Sequence, residues 1–268
     1  KNLTDWETNT IHANNFKFYE ELDEVIQREP SDLFSPELLG MASSIGIEKG
    51  KPFNPSPQQK ALLTEAVAIG NATARSILFG PKDPKNYIYP GKAGYWQTGF
   101  PGGSHEYLVN KGNGGRDMDG RTLFFYLATV NTPAMALEIP GVGSQYAFSS
   151  RDGSGAYLNG SNTYKLNIPA NPPAQKFWSF VVYDPQTRSM LQTGEMPYPS
   201  KNNKRNADMV KNADGSIDLY FGPQAPAGME ANWVKTVPGK GWFGIFRLYG
   251  PGQQWFDRTW KLGNIEKV

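Results

Sequence analysis

Apolar positions recur at helical spacing in the first part of the chain and shift to strand spacing later. Between residues 9 and 29, Phe16, Tyr19, Leu22, Val25 and Ile26 share one helix face among Glu20, Glu21, Asp23 and Glu24, and Pro30 ends the run. A short second helix is predicted over 36–45, with Ser35 as cap and Pro36 in the first turn. A third opens at Pro57 behind Ser56 and turns Leu62, Leu63, Ala66, Val67, Ile69, Ala74 and Ile77 inward. It stops near Phe79-Gly80-Pro81. Residues 80–120 have no clear period and are rich in Gly, Tyr and Pro, as a loop packed over a site would be. A further helix is expected from Asp119 to about Leu137, broken at Pro133. Strands follow at 145–149, 164–168, 178–183, 217–221 and 242–249. The change near residue 140 divides the chain into an expected helical part, 1–140, and a β-rich part, 141–268, an α+β protein.

Composition narrows the function classes. Aromatics at 13%, with 29 Gly and 21 Pro, suit a β-rich fold with many turns. A net charge of +2 lacks the basic excess of a nucleic-acid protein, so no such partner is expected. The absence of cysteine excludes disulfides, thiolate catalysis and iron–sulfur clusters. No apolar run approaches the roughly 20 residues of a membrane helix, so no transmembrane segment is expected. The chain opens on Lys1 and not on Met, which points to a signal peptide or domain removed upstream.

A series of short motifs carries a resemblance. Arg151-Asp152-Gly153-Ser154-Gly155, Leu158-Asn159-Gly160, Tyr164-Lys165-Leu166 and Pro172-Pro173 open it. Phe177-Trp178-Ser179, Tyr183-Asp184, Asn212-Ala213-Asp214-Gly215-Ser216, Asn232-Trp233, Arg247-Leu248-Tyr249-Gly250-Pro251 and Thr259-Trp260 continue it. Together they resemble domain-of-unknown-function family 1214 (DUF1214). The first half is similar to the helical part that follows the family 1254 (DUF1254) module in two-module proteins. The resemblance implies a jelly-roll-like β-sandwich after the helical part, and a periplasmic or secreted location. It brings no activity and no catalytic residues with it.

Candidate chemistry is sparse. A histidine-based triad or metal site would need His12 or His105. His12 belongs to a polar, acidic helix; His105 lies inside the aromatic loop beside Ser104, without a nucleophile elbow anywhere in the chain. Asp117 and Asp119 flank Met118 between Arg116 and Arg121, where two carboxylates could share acid–base work. The preferred reading is a charged helix start with Asp119 as cap. Asp152-Gly153-Ser154-Gly155 opens like a calcium loop, but Thr163 stands where the closing Glu belongs, so a tight turn is expected, and Asp214-Gly215-Ser216 reads likewise. Arg247 and Asp184 sit in or beside apolar runs. A buried Arg calls for a carboxylate partner, which would brace the sheets; the alternative is an anion-binding Arg in a cleft. Tyr87, Tyr95 and Trp96 crowd the loop, and such rings stack on ligands or plug the end of a fold. No metal site and no cofactor is expected. The reading is a binding or assembly module with an aromatic cleft for a sugar or small organic ligand, with Tyr87, Tyr95, Trp96 and Arg247 as binding residues. The alternative is a hydrolase-like enzyme using His105, Asp117 and Arg116. Open sandwich edges favour a homo-oligomer.

Overall fold

The computed structural model describes residues 12–128 and 130–268. The expected helical residues 9–11 lie outside the described residues. The chain forms two compact units, Lys1–Ser76 and Ile77–Val268. The composition shift near residue 140 falls inside the second.

In the first unit, α1 spans Lys17–Arg28, α2 Pro36–Ser44 and α3 Pro57–Phe79, whose last three residues count with the second unit. The caps are as expected. Ser35 Oγ accepts from Leu38 N at 3.4 Å and Ser56 Oγ from Gln59 N at 3.2 Å, each pairing an otherwise orphaned amide. Tyr19, Ile26, Ala42, Ile47 and Leu63 make the core. Val25, Leu62 and Ile69, expected inward, are exposed, because a helical apolar stripe is wider than this small core. Lys49 Nζ closes the end of α1, donating to the carbonyls of Ile26, Gln27 and Glu29 at 3.1, 2.9 and 2.8 Å.

In the second unit, irregular turns lead to α4, Met118–Leu127, and one turn of helix, α5, Pro133–Ala136. The single helix expected up to Leu137 is thus two, separated ahead of Pro133. Strands β1 Ser144–Ser149, β2 Tyr164–Ile168, β3 Ala174–Tyr183, β4 Ser200–Asn202, β5 Ile217–Gly222, β6 Trp233–Lys235 and β7 Phe243–Pro251 follow. A short helix, α6 Gln253–Phe256, and β8 Ile265–Lys267 end the unit. All five expected strands are present. The short β4, β6 and β8 carry too few residues to show alternation.

The strands build two four-stranded sheets, ordered β1-β7-β3-β4 and β6-β5-β2-β8. Pairing is antiparallel except between β5 and β6. One core lies between the sheets. Trp178, Phe180 and Val182 of β3 and Phe246 and Leu248 of β7 meet Leu166, Leu219 and Phe221, and Phe180 and Phe221 have ring centroids 4.8 Å apart. Gly244 is required here, since a Cβ on it would stand 2.1 Å from the Phe180 ring.

The first sheet is apolar on its other face as well. Phe148, Phe243 and Ile245 pack there with Leu78, Phe79 and Leu123 in a separate cluster. Strand alternation explains both layers. Phe246 and Leu248 point to the shared core, so Phe243, Ile245 and Arg247 point away from it.

Candidate ligand cavity

The register of the first sheet assembles the floor of a cavity. Tyr146 of β1 pairs with Arg247 of β7, and Phe148 with Ile245. On the other side of β7, Tyr183 of β3 pairs with Phe243, their rings stacked at 5.2 Å. All six side chains therefore share one face. Over it lie Thr98, Gly99 and Phe100, with Phe124 and Leu127 of α4, Ala128 just after it, and Met135 and Ala136 of α5, and Glu138, Gln145 and Arg188 complete the wall. The cavity measures about 280 Å³. Gly99 permits the close roof, because a Cβ there would come within 3.1 Å of the Phe124 ring. Phe100 and Phe124 meet at 4.4 Å between centroids.

Two guanidinium groups border this largely apolar space. Arg247 is half-buried. Its Nη2 donates to the Tyr183 hydroxyl at 2.8 Å, and its guanidinium stands 5.5 Å from the Tyr146 ring centre. Its Nε is buried without a hydrogen-bond partner. The carboxylate expected beside it is absent: Asp184 instead meets Lys240 Nζ at 3.2 Å, and its other oxygen accepts from Gln186 N at 2.7 Å. Asp184 follows the end of β3 and turns into the next loop, away from the strand face that carries Arg247. Arg188 Nη1 donates to Tyr126 Oη at 3.2 Å and to Gln186 O at 2.7 Å. Burial raises the Tyr183 pKa above the usual phenol range, against the pull of Arg247. Burial works against the charge on Arg247, but the surrounding Tyr183, Tyr249 and Tyr146 outweigh it and move its pKa upward.

Of the residues expected at a site, Arg247 alone lines this cavity. Trp96 is fully buried in the core between the sheets, its Nε1 donating to Gly263 O at 2.9 Å. Tyr95 and Tyr87 lie elsewhere: the Arg151 guanidinium is 6.0 Å from the Tyr95 ring, and Tyr87 Oη donates to Pro81 O at 3.2 Å. His105 sits half-buried in a turn, its carbonyl accepting from Asn131 Nδ2. Arg116 is exposed and forms an isolated bridge with Leu108. Asp117, and not Asp119, caps α4, accepting from Gly120 N at 2.9 Å, because the helix starts earlier than expected. Its other oxygen faces Lys85 Nζ at 3.3 Å. His105, Arg116 and Asp117 thus do not line the cavity that takes Arg247. Among the described residues no three His, Cys, Asp or Glu side chains cluster as metal ligands would. Asp152 Oδ1 accepts from the amides of Ser154 and Ala156, both at 3.0 Å, and closes the expected turn.

Sequence reasoning missed Tyr146, Phe148, Tyr183, Arg188 and the roof residue Phe124 as wall residues. A signal existed in β7, where Phe243, Ile245 and Arg247 alternate with Gly244, Phe246 and Leu248. A strand apolar on both faces is covered on both, and one charge in such a face marks a cavity or a partner.

Solved structures that the chain resembles include the following two. One is the VPA0106 protein of Vibrio parahaemolyticus, at 20% identity and a TM-score of 0.46, covering 94% of this chain and 55% of that one. The other is an uncharacterised protein of Burkholderia cenocepacia, at 17% identity and a TM-score of 0.38, covering 87% and 48%. The chain thus spans about half the length of each. No curated protein matches it. Among the described residues, no helix is long and apolar enough to cross a membrane. Residues 143–253, from β1 through β7 to the first residue of α6, match the family described as protein of unknown function (DUF1214), so the stretch that supplies the cavity floor is a DUF1214 domain.

Proposed function

We propose that the second unit is a binding module that takes a small organic molecule in the cavity between the first sheet and α4. The enclosure carries this reading: a space of about 280 Å³ walled by Phe100, Phe124, Phe148, Phe243, Leu127 and Ile245, with a few polar groups at its border. Ligand cavities combine these features, starting near about 300 Å³. A sugar fits less well, since its hydroxyls would face aromatic and aliphatic carbon with few partners. The test is calorimetric titration with neutral aryl and alkyl amides before and after Met135→Trp, which fills the cavity from α5. Binding that Met135→Trp abolishes supports the site; binding that survives it puts the site elsewhere.

Finer architectural readings are proposals of the same kind. The passage of β1, β2 and β3 between the two sheets supports a jelly-roll-like connection, although the parallel β5–β6 pair departs from one. Pairing with a family 1254 module and a periplasmic or secreted location rest on the family resemblance. Cell fractionation tests the location. A homo-oligomer is supported by the exposed Leu137, Ile139 and Val142 and by the open edge strands β4 and β6; a monomer by light scattering at micromolar concentration overturns it.

A further inference from the structure

The wall of the cavity holds a cation that no carboxylate among the described residues neutralises. Arg247 has no carboxylate within ion-pair distance among the described residues. The one carboxylate on the wall is Glu138, whose side chain is exposed and makes no ion pair with Arg247. The groups around Arg247 are the phenols Tyr183, Tyr249 and Tyr146, and none of them is a carboxylate. One terminal nitrogen donates to Tyr183 and Tyr249 is a further hydrogen-bonding neighbour, while Nε stays buried and unpartnered. A guanidinium left without a counter-charge is costly to the free protein and well suited to a planar anion, which accepts from its terminal nitrogens. Arg188 adds a second positive charge to the same wall.

Building on the reading of this cavity as a ligand site, we infer that its ligands are small organic monocarboxylates, with the carboxylate on Arg247 and an aryl or alkyl body among Phe100, Phe124, Phe148 and Phe243. Volume limits the body. Benzene occupies a cavity of about 150 Å³, so a space of about 280 Å³ suits one ring with a short carbon arm. A dicarboxylate would press its second charge against phenylalanine rings, which disfavours it.

Calorimetry on the intact chain tests this with benzoate, phenylacetate, 3-phenylpropionate and hexanoate, each beside its neutral amide. At least one acid is expected to bind about tenfold tighter than its amide, as a charge-assisted bidentate contact provides. Arg247→Gln should bring the acid down to the amide's affinity and leave the amide unchanged. Arg116→Gln, an exposed arginine outside the cavity, should leave the preference intact; if it removes the preference as fully, general charge is the cause and the inference falls. Equal binding of acid and amide by the wild-type protein overturns the carboxylate assignment while the cavity reading stands. If neither acids nor amides bind at millimolar concentration, both fall. Should Arg247→Gln fail to fold, the wild-type comparison decides alone.

Discussion

Arg247 donates to the hydroxyl of Tyr183 at 2.8 Å, so a neutral phenol stands where a buried arginine ordinarily has a carboxylate. Tyr183→Phe removes that acceptor and leaves a second guanidinium donor unpaired beside Nε. The expected loss is about 1–3 kcal/mol, the penalty for an unsatisfied buried donor. Urea unfolding reads it as a lower midpoint at unchanged slope. An unchanged midpoint would mean that the bond contributes nothing in solution.

Asp184 separates two contributions. Its Oδ1 caps Gln186 N and its Oδ2 meets Lys240, whose side chain is 55% exposed. Asp184→Asn keeps the turn-closing oxygen and loses only the ion pair, which at this exposure is worth less than about 1 kcal/mol. Asp184→Ala loses both and should be the more destabilised by about 1 kcal/mol. Equal thermal midpoints for the two variants would show that the turn bond is dispensable.

Tyr107 is buried with its hydroxyl unpartnered, and burial holds its pKa far above the ordinary phenol value. Tyr107→Phe deletes an unsatisfied polar atom and keeps the ring stacked on Phe100, so stability should hold or rise by up to about 1 kcal/mol. The pH dependence follows from the sign of the shift. A phenol whose folded pKa is raised binds its proton more tightly folded than unfolded, so stability is full below about pH 10 and falls as pH rises beyond it. Tyr107→Phe should flatten that alkaline decline, as followed by circular dichroism. An unchanged decline would assign it to Tyr89, Tyr183 or another buried phenol.

Two glycines should respond oppositely to alanine. At Gly244 the new methyl would strike the fully buried Phe180 ring, and overpacking of this kind costs about 1–3 kcal/mol. At Gly40, inside α2, nothing lies within 4 Å of the added carbon, so Gly40→Ala should stabilise by about 0.5–1 kcal/mol. Differential scanning calorimetry compares them directly, and destabilisation at both positions would contradict the packing described for Gly40.

Lys49 meets three carbonyls at the end of α1, where a cation is also attracted by the negative end of the helix dipole. Lys49→Met keeps the aliphatic stem and loses the donors. Amide exchange over residues 25–29 should accelerate while exchange in β3 and β7 stays slow. Uniform acceleration across all of these would refute a local role.

What the sequence revealed depended on how far apart the determining residues lie. Ser35, Ser56, Pro36 and Pro57 mark helix starts through contacts within one turn, and those boundaries were legible. The five longer strands were legible because Ile217–Phe221 and Trp242–Tyr249 hold enough residues to alternate. The cavity was not, because its floor depends on Tyr146 meeting Arg247 and Tyr183 meeting Phe243, pairings set by sheet register between distant segments. The aromatic loop misled for a related reason. Trp96 looked like a ligand platform but fills the core, since a local cluster of rings says nothing about which layer receives them. Arg247 stands out in the sequence as a charge in an apolar run, but its partner Tyr183 does not, because that partner lies on a neighbouring strand.

The position of β7 between β1 and β3 has a kinetic consequence. Strand β1 has no partner in this sheet until residues 243–251 arrive beside it, and before then only the β3–β4 pair can form. Closing the long loops that bring β7 between β1 and β3, before either of those pairings is gained, makes for a slow search. During that search the rings of β1 and β3 lack their cover, and the refolding chain should be most prone to aggregation in the interval before β7 inserts.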